Sequence, residues 1–183
     1  MTDRAVNKSS EKILVIGCPG TGKSTFSKQL GDILNIQVIH LDKHFWKPGW
    51  VESTKEEWNE TVIKLISKDK WIIDGNYSNT LRLRADAANE ILCFDYSSVF
   101  CTYRIFKRII KTKLKLEPRH EMAEGCPEKW FDWEFIKFTW NFNKKIRPVT
   151  IRILNELNFN KKRVTIFKNA NEAKYYLSSL IEQ

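Results

Sequence analysis

Four cysteines, Cys18, Cys93, Cys101 and Cys126, occur without a C-x-x-C spacing, which argues against both a zinc site and a disulfide framework. A reduced, cytosolic protein is the expectation from that usage. No apolar run approaches the ~20 residues that a membrane span needs, so no membrane partner is expected. Residues Met1 to Ser10 are polar and have no apolar centre, so a secretory leader is not expected either. Internal repeats and low-complexity segments are absent, as is any helix-turn-helix or other named DNA-reading module. The oligomeric state is left open.

The chain of 183 residues is 42% hydrophobic and 29% charged, enough for one globular unit with a proper core. Lysine and arginine number 31 against 22 acids, a net charge of +9 that favours anionic partners, nucleotides and nucleic acid alike.

The sharpest signal is Gly17-Cys18-Pro19-Gly20-Thr21-Gly22-Lys23-Ser24-Thr25, placed after the apolar run Ile13 to Ile16 and before a helical pattern. The pattern G-x-x-x-x-G-K-[ST] is a phosphate cradle. Its glycines let successive N–H groups turn inward as a nest, and the following helix adds the positive end of its dipole. Lys23 would span the β- and γ-phosphates and the Ser24 hydroxyl would bind Mg²⁺, so ATP and Mg²⁺ are the expected cofactors.

Further along, strands are expected at Lys12–Ile16, Gln37–His40, Trp71–Ile73, Glu90–Phe94 and Arg163–Phe167. Helices are expected at about 23–34, 52–67, 80–88, 99–115, 130–142, 148–157 and 171–181. Pro148 should break the chain of helices near Arg147. The alternation points to an α/β sandwich around five parallel strands. Ligands of such sheets collect beyond the carboxyl ends of the strands. That singles out Asp42 after the second strand, with Phe45 and Trp46 beside it, as a place to hold a substrate hydroxyl. It also singles out Asp74 after the third, as an acid able to hold a water on Mg²⁺. His40 and His44, four apart with no third ligand, are a weak metal signal. Asn169, at the end of the last strand, lies where a base could dock.

Val99, Tyr103, Phe106 and Ile110 form a helical stripe that should face the core. Arg104, Arg108, Lys111 and Lys115 follow one residue further round; Arg104 and Arg108 suit bidentate phosphate contact. Residues 116–129 read as a loop of unusual length, fit for a lid or a binding segment. Phe131, Phe135, Phe138 and Phe142, with Trp133 and Trp140 on a neighbouring stripe, read as core rather than as a base-stacking platform.

These residues resemble the small P-loop kinases of the adenylate kinase-like group, closest to the bacterial topology modulation proteins. The likeness covers nearly the whole chain through the glycine loop, His40 to Trp50, Trp71-Ile72-Ile73-Asp74-Gly75-Asn76-Tyr77-Ser78 and Gly125-Cys126-Pro127-Glu128-Lys129. It implies a single P-loop NTPase three-layer domain with a core at about 12–44, 69–112 and 148–183, a substrate flap near 45–68 and a lid near 113–129. It implies Asp74-Gly75 beside Mg²⁺, Arg104 and Arg108 at the entry to the lid, and Arg147 reaching the transferred phosphoryl with Lys23. Where adenylate kinases have Asp-Gly-Phe-Pro-Arg, this chain has Asp74-Gly75-Asn76-Tyr77-Ser78, so the arginine that grips a nucleoside monophosphate is missing. Either Arg82 replaces it, or the acceptor is of another kind. The expected activity is ATP-dependent phosphoryl transfer to a small acceptor. The alternative is a nucleotide-gated protein that holds DNA on the basic helix face or on Lys161-Lys162-Arg163.

Overall fold

The computed structural model describes residues 11–113, 125–126, 132–159 and 162–182. The chain runs β1 (Lys12–Gly17), α1 (Lys23–Leu34), β2 (Val38–His40) and a short α2 (Asp42–Phe45), then a hairpin of β3 (Trp46–Lys47) and β4 (Val51–Glu52). It continues through α3 (Lys55–Ile66), β5 (Trp71–Asp74), α4 (Ser78–Ala87), β6 (Glu90–Phe94) and α5 (Ser98–Lys113). Beyond residue 131 follow α6 (Trp133–Lys145), α7 (Arg147–Phe159), β7 (Arg163–Phe167) and α8 (Ala170–Ile181). The expected polar arm, nearly all of the 113–129 segment, Trp130, Phe131, Lys115 and Lys161 lie outside the described residues.

Five strands form one parallel sheet in the order β2-β5-β1-β6-β7, as the run of apolar strands predicts. The reason lies in β1, whose side chains alternate between two cores. Ile13 and Val15 join Phe26 and Leu30 of α1 and Ala173, Tyr176 and Leu180 of α8. Leu14 and Ile16 join Trp58, Val62 and Leu65 of α3, Leu81 and Ala85 of α4, and Leu154 and Leu157 of α7. A strand covered on both faces must be apolar at every position, which a parallel sheet between two helical layers requires. β1 lies between β5 and β6, so its carboxyl tip opens at the point where the strand order reverses, the usual place for a ligand in such a sheet.

Local chemistry sets several boundaries. Thr54 caps α3 and closes a reciprocal pair with Glu57: the Glu57 N–H donates to Thr54 Oγ1 at 3.2 Å, and the Thr54 N–H donates to Glu57 Oε2 at 2.9 Å. Pro148 sits at the second position of α7, after a break at Ile146, as its fixed φ and missing N–H dictate. The segment 41–50, expected as a loop, contains α2 and β3, and β4 at Val51–Glu52 closes the hairpin ahead of α3.

One expectation about a helix face is overturned and a second is met only in part. On α5 the stripe expected in the core faces outward, with Val99 59%, Tyr103 63%, Phe106 39% and Ile110 58% exposed, while Cys101, Thr102 and Ile105 are buried. The cause is the close approach of α5 to the glycine loop: a Cβ built on Gly20 would stand 2.6 Å from the Cys101 carbonyl oxygen. Only a small side chain fits at Cys101, where the two backbones are so near, and that puts the face of Cys101 and Ile105 against the loop and turns the other stripe away. On α6 the buried positions are Ile136, Thr139 and Phe142, whereas Trp133, Phe138 and Trp140 are exposed. Here too a small residue faces in, with the Cys18 thiol against the Thr139 carbonyl oxygen at 3.9 Å.

Candidate active site

The loop joining β1 to α1 owes its curvature to Gly17, Gly20 and Gly22, with φ of 140°, 83° and 94°. Gly22 is the N-cap of α1 and carries no side chain to cap the helix, so the first N–H groups of α1 are left for an anion. Lys23 folds back, its Nζ donating to the Cys18 carbonyl oxygen at 3.0 Å, and Thr21 Oγ1 donates to the same oxygen at 2.9 Å. Arg104 reaches over from α5: Nη1 donates to the Thr21 carbonyl oxygen at 3.1 Å, and its guanidinium lies 5.8 Å from the centre of the Phe100 ring. Arg104 and the loop, 83 positions apart, are thus brought together. Arg108 follows one turn further along α5. Pro19 and Ser24 are half-buried and Thr25 is exposed. The Cys18 thiol is pushed well above its usual pKa by its contact with Cys101 and by burial, so it stays protonated and serves packing.

Asp74 ends β5, in register with Val15 of β1 on one side and His40 of β2 on the other. It is 5% exposed, and its Oδ2 meets His40 Nδ1 at 3.0 Å, which gives His40 a place that its sequence spacing did not suggest. Gly75 follows with φ 145°, and a Cβ there would stand 2.8 Å from that of Leu41, so the Asp-Gly pair is needed by both backbone and packing. Among the described residues no group of three His, Cys, Asp or Glu could hold a metal ion. One hydroxyl and one carboxylate, Ser24 and Asp74, nevertheless suit Mg²⁺, which keeps several waters and takes its other ligands from substrate phosphates.

On the β2 side, Asp42 opens α2 and accepts a 2.7 Å hydrogen bond at Oδ1 from the Tyr77 hydroxyl. Burial and the neighbouring Asp42 push the Tyr77 pKa far above its usual value, so the phenol is the donor. Phe45 packs on Trp46, Trp58 and Tyr77 with ring centres 5.1, 5.1 and 4.6 Å apart. His44 is held below its usual pKa by partial burial and by Lys68 and Lys43, which favours its neutral form. Gly125 and Cys126 touch the hairpin: the Gly49 N–H donates to the Gly125 carbonyl oxygen at 3.0 Å, and Cys126 Sγ lies 3.2 Å from that of Lys47.

Other expected site residues have partners of their own. Arg82 is half exposed, bound to Asp86 at 3.0 Å and to Glu156 at 2.6 Å. Arg147 makes a two-pronged pair with Asp95 at 2.5 and 2.8 Å, and Lys168 joins the same carboxylate at 2.5 Å. The hydrogen bond from Arg147, with that from Lys168, holds the Asp95 carboxyl below the usual range. Asn169 Oδ1 caps α8, accepting from the N–H groups of Asn171 and Glu172 at 3.0 and 3.1 Å. Lys162 Nζ donates to the carbonyl oxygens of Ala85, Asp86 and Ala88 at the end of α4, which occupies the middle of the proposed DNA-binding patch.

Sequence reasoning passed over Asn76, Tyr77, Arg84 and Asp95. Asn76 clamps Gly17, accepting from its N–H at 2.9 Å and donating to its carbonyl oxygen at 2.5 Å. The only signal for it was its place directly after Asp74-Gly75. Nothing in the local pattern marked Arg84 or Asp95.

A parallel sheet between two helical layers, with a glycine cradle at the tip of its middle strand, defines a P-loop α/β sandwich. No family model matches the chain. The crystal structure of a gluconokinase from Sinorhizobium meliloti 1021 is similar over 94% of this chain and 92% of that one, at 13% identity and a TM-score of 0.48. A likeness of that size bears on neither substrate nor residue roles.

Proposed function

We propose that the protein is an ATP- and Mg²⁺-dependent phosphotransferase of the adenylate kinase-like group that acts on a small acceptor. The observation that carries this reading is the pairing of the glycine cradle, overlain by Arg104, with a separate carboxylate, Asp42, held by Tyr77. Phosphoryl transfer needs positioning and cations more than covalent chemistry. In this reading Lys23 and Arg104 take the phosphates and Ser24 and Asp74 hold Mg²⁺, which supplies charge neutralisation at the phosphate oxygens. Asp42 receives the proton of an acceptor hydroxyl, whose oxygen forms the new bond to phosphorus as the bond to ADP breaks.

Arg108 supports Arg104 from the next turn, and Arg147 serves the transferred phosphoryl only if it leaves Asp95. The segment 45–68 is the acceptor flap, and the contacts of Gly125 and Cys126 with the hairpin support a lid that meets it. A carboxylate favours a hydroxyl over a phosphate at the acceptor position, because like charges repel.

The test is ADP release with Mg²⁺ and ATP over a panel of adenosine, AMP, ribose, glucose, gluconate and glycerol. Stimulation by at least one hydroxyl compound, without nucleic acid, is expected. ADP release that stays flat over the panel but rises with DNA would replace this reading by the nucleotide-gated one.

A further inference from the structure

The residue with the least ordinary surroundings in the molecule is Arg84, on the buried side of α4. Its side chain is fully enclosed, at 0% exposure. Its hydrogen-bond partners are four oxygens, none of them from a carboxylate. Nη1 donates to the Gly75 carbonyl oxygen at 2.9 Å, Nη2 to those of Asn76 and of Tyr77, the latter at 2.8 Å, and Nε to Thr80 Oγ1 at 3.3 Å. Burying a cation without an anion is costly, and desolvation lowers its pKa. Helix packing alone would be served as well by an apolar side chain. The planar fork of a guanidinium, though, can gather several carbonyl oxygens at once, which an ammonium on a single point does less well.

The three carbonyls belong to one short loop, Gly75-Asn76-Tyr77, between β5 and α4. That loop is bent against preference: Gly75 has φ 145° and Tyr77, a bulky residue, has φ 32°. A tyrosine in the left-handed region persists only where its surroundings hold it. The grip of Arg84 on the carbonyls aims the two side chains at different targets. Asn76 goes to Gly17, the first residue of the phosphate cradle, with two hydrogen bonds. Tyr77 goes to Asp42 on the opposite side.

We infer that Gly75-Asn76-Tyr77 is a coupler that sets the donor cradle and the acceptor carboxylate in one register, with Arg84 as the positioning residue that holds it. The inference rests on the phosphotransferase reading of the two sides. Arg84 touches neither substrate; it acts through Asn76 on the nucleotide and through Tyr77 on the acceptor. The two arms are therefore separable, and Arg84 holds the backbone of both.

The experiment measures two constants for each variant: the Kd of mant-ATP with Mg²⁺, and the KM of the most active panel compound in ADP release. Asn76→Ala loses two neutral hydrogen bonds and Tyr77→Phe loses one to a carboxylate, a change of about 2 kcal/mol in each case, so shifts of roughly thirtyfold are expected. Asn76→Ala should weaken mant-ATP binding by that factor and leave the acceptor KM in place. Tyr77→Phe should do the reverse. Arg84→Lys should shift both constants in the same preparation. In Arg84→Ala, added ethylguanidine should restore both together, while ethylamine should not.

If Arg84→Lys or Arg84→Ala changes only the melting temperature and neither constant, the coupler is wrong. It is equally wrong if Tyr77→Phe moves the nucleotide Kd as far as the acceptor KM. Should the arginine variants fail to fold, the opposite selectivity of Asn76→Ala and Tyr77→Phe decides alone. A wild-type chain that binds no mant-ATP would overturn the phosphotransferase reading and the coupler with it; one that binds it normally confines any failure to the coupler.

Discussion

Between residues 17 and 24 the chain holds its shape with three glycines of positive φ and the backbone of α5, whereas from residue 42 to 58 the shape comes from packed rings. In the first region side chains are almost incidental to the curvature, and Lys23 and Thr21 simply close on the Cys18 carbonyl. In the second, Phe45, Trp46, Trp58 and Tyr77 support one another, and Asp42 is placed only because Tyr77 is. Curvature set by glycine is a local property of the backbone. A ring cluster is a cooperative one, and losing any member loosens the rest.

The largest effect that should separate the two regions is on Trp58, which is 4% exposed and packs on Phe45 and Tyr77. Trp58→Ala is expected to cost about 3–5 kcal/mol, read from urea unfolding, while mant-ATP affinity of the folded protein stays near wild type. Equal loss of nucleotide affinity would mean that the two regions are not built independently.

Lys23→Ala should do the opposite. In the proposed reaction Lys23 takes the phosphates, so removing its charge should lower turnover by about 10²–10³-fold, with a melting temperature close to that of the wild type. A variant with unchanged turnover would remove the donor assignment.

The smallest effect concerns Asp95, which directly follows β6, whose last residue Phe94 is in register with Gly17. Its carboxyl is held below the usual range by Arg147 and Lys168, so its folded pKa lies below its unfolded one. The pairing therefore stabilises the fold fully above the unfolded carboxylate pKa of about 3.9 and is lost as pH falls through the lower, folded value. Thermal melts from pH 7 down to 3 should fall more steeply for wild type than for Asp95→Asn at the acid end. Parallel curves would show that the pair contributes no stability of its own.

Much of the fold was legible in the sequence because β1, β5 and β6 are buried on both faces and so are written as apolar runs. The glycine cradle was legible for a similar reason, since curvature of that kind needs glycine at set intervals. The helix faces of α5 and α6 were not. Two stripes competed on each, and the larger, aromatic one looked like the core. On α5 the backbone at Cys101 comes so close to the glycine loop that bulk is excluded there, and the face carrying Cys101, Thr102 and Ile105 is the buried one; on α6 burial went to Ile136, Thr139 and Phe142.

The candidate site divides along the same line. Asp42, Asp74 and Arg104 could be picked out by their position relative to strands and helices. Arg82, picked to replace the missing arginine at Ser78, is bound on the surface to Asp86 and Glu156. Its neighbour Arg84, two positions on, lies under the loop that touches both sides of the site. Helical spacing turns residues two apart through about 200°, so one faces solvent and the other the core, but spacing alone does not say which.

By itself, then, the amino-acid sequence determined the strand core, the phosphate cradle and the places where strands end, because each depends on a few neighbouring residues. Only the tertiary structure decided which helix face is buried, that Arg147 meets Asp95, and that Asn76 and Tyr77 reach in opposite directions from one loop. Those outcomes depend on which backbones approach each other across tens of positions of chain, a separation of 35 for the Tyr77–Asp42 pair and of 52 for the Arg147–Asp95 pair. No local pattern of residue types carries that distance.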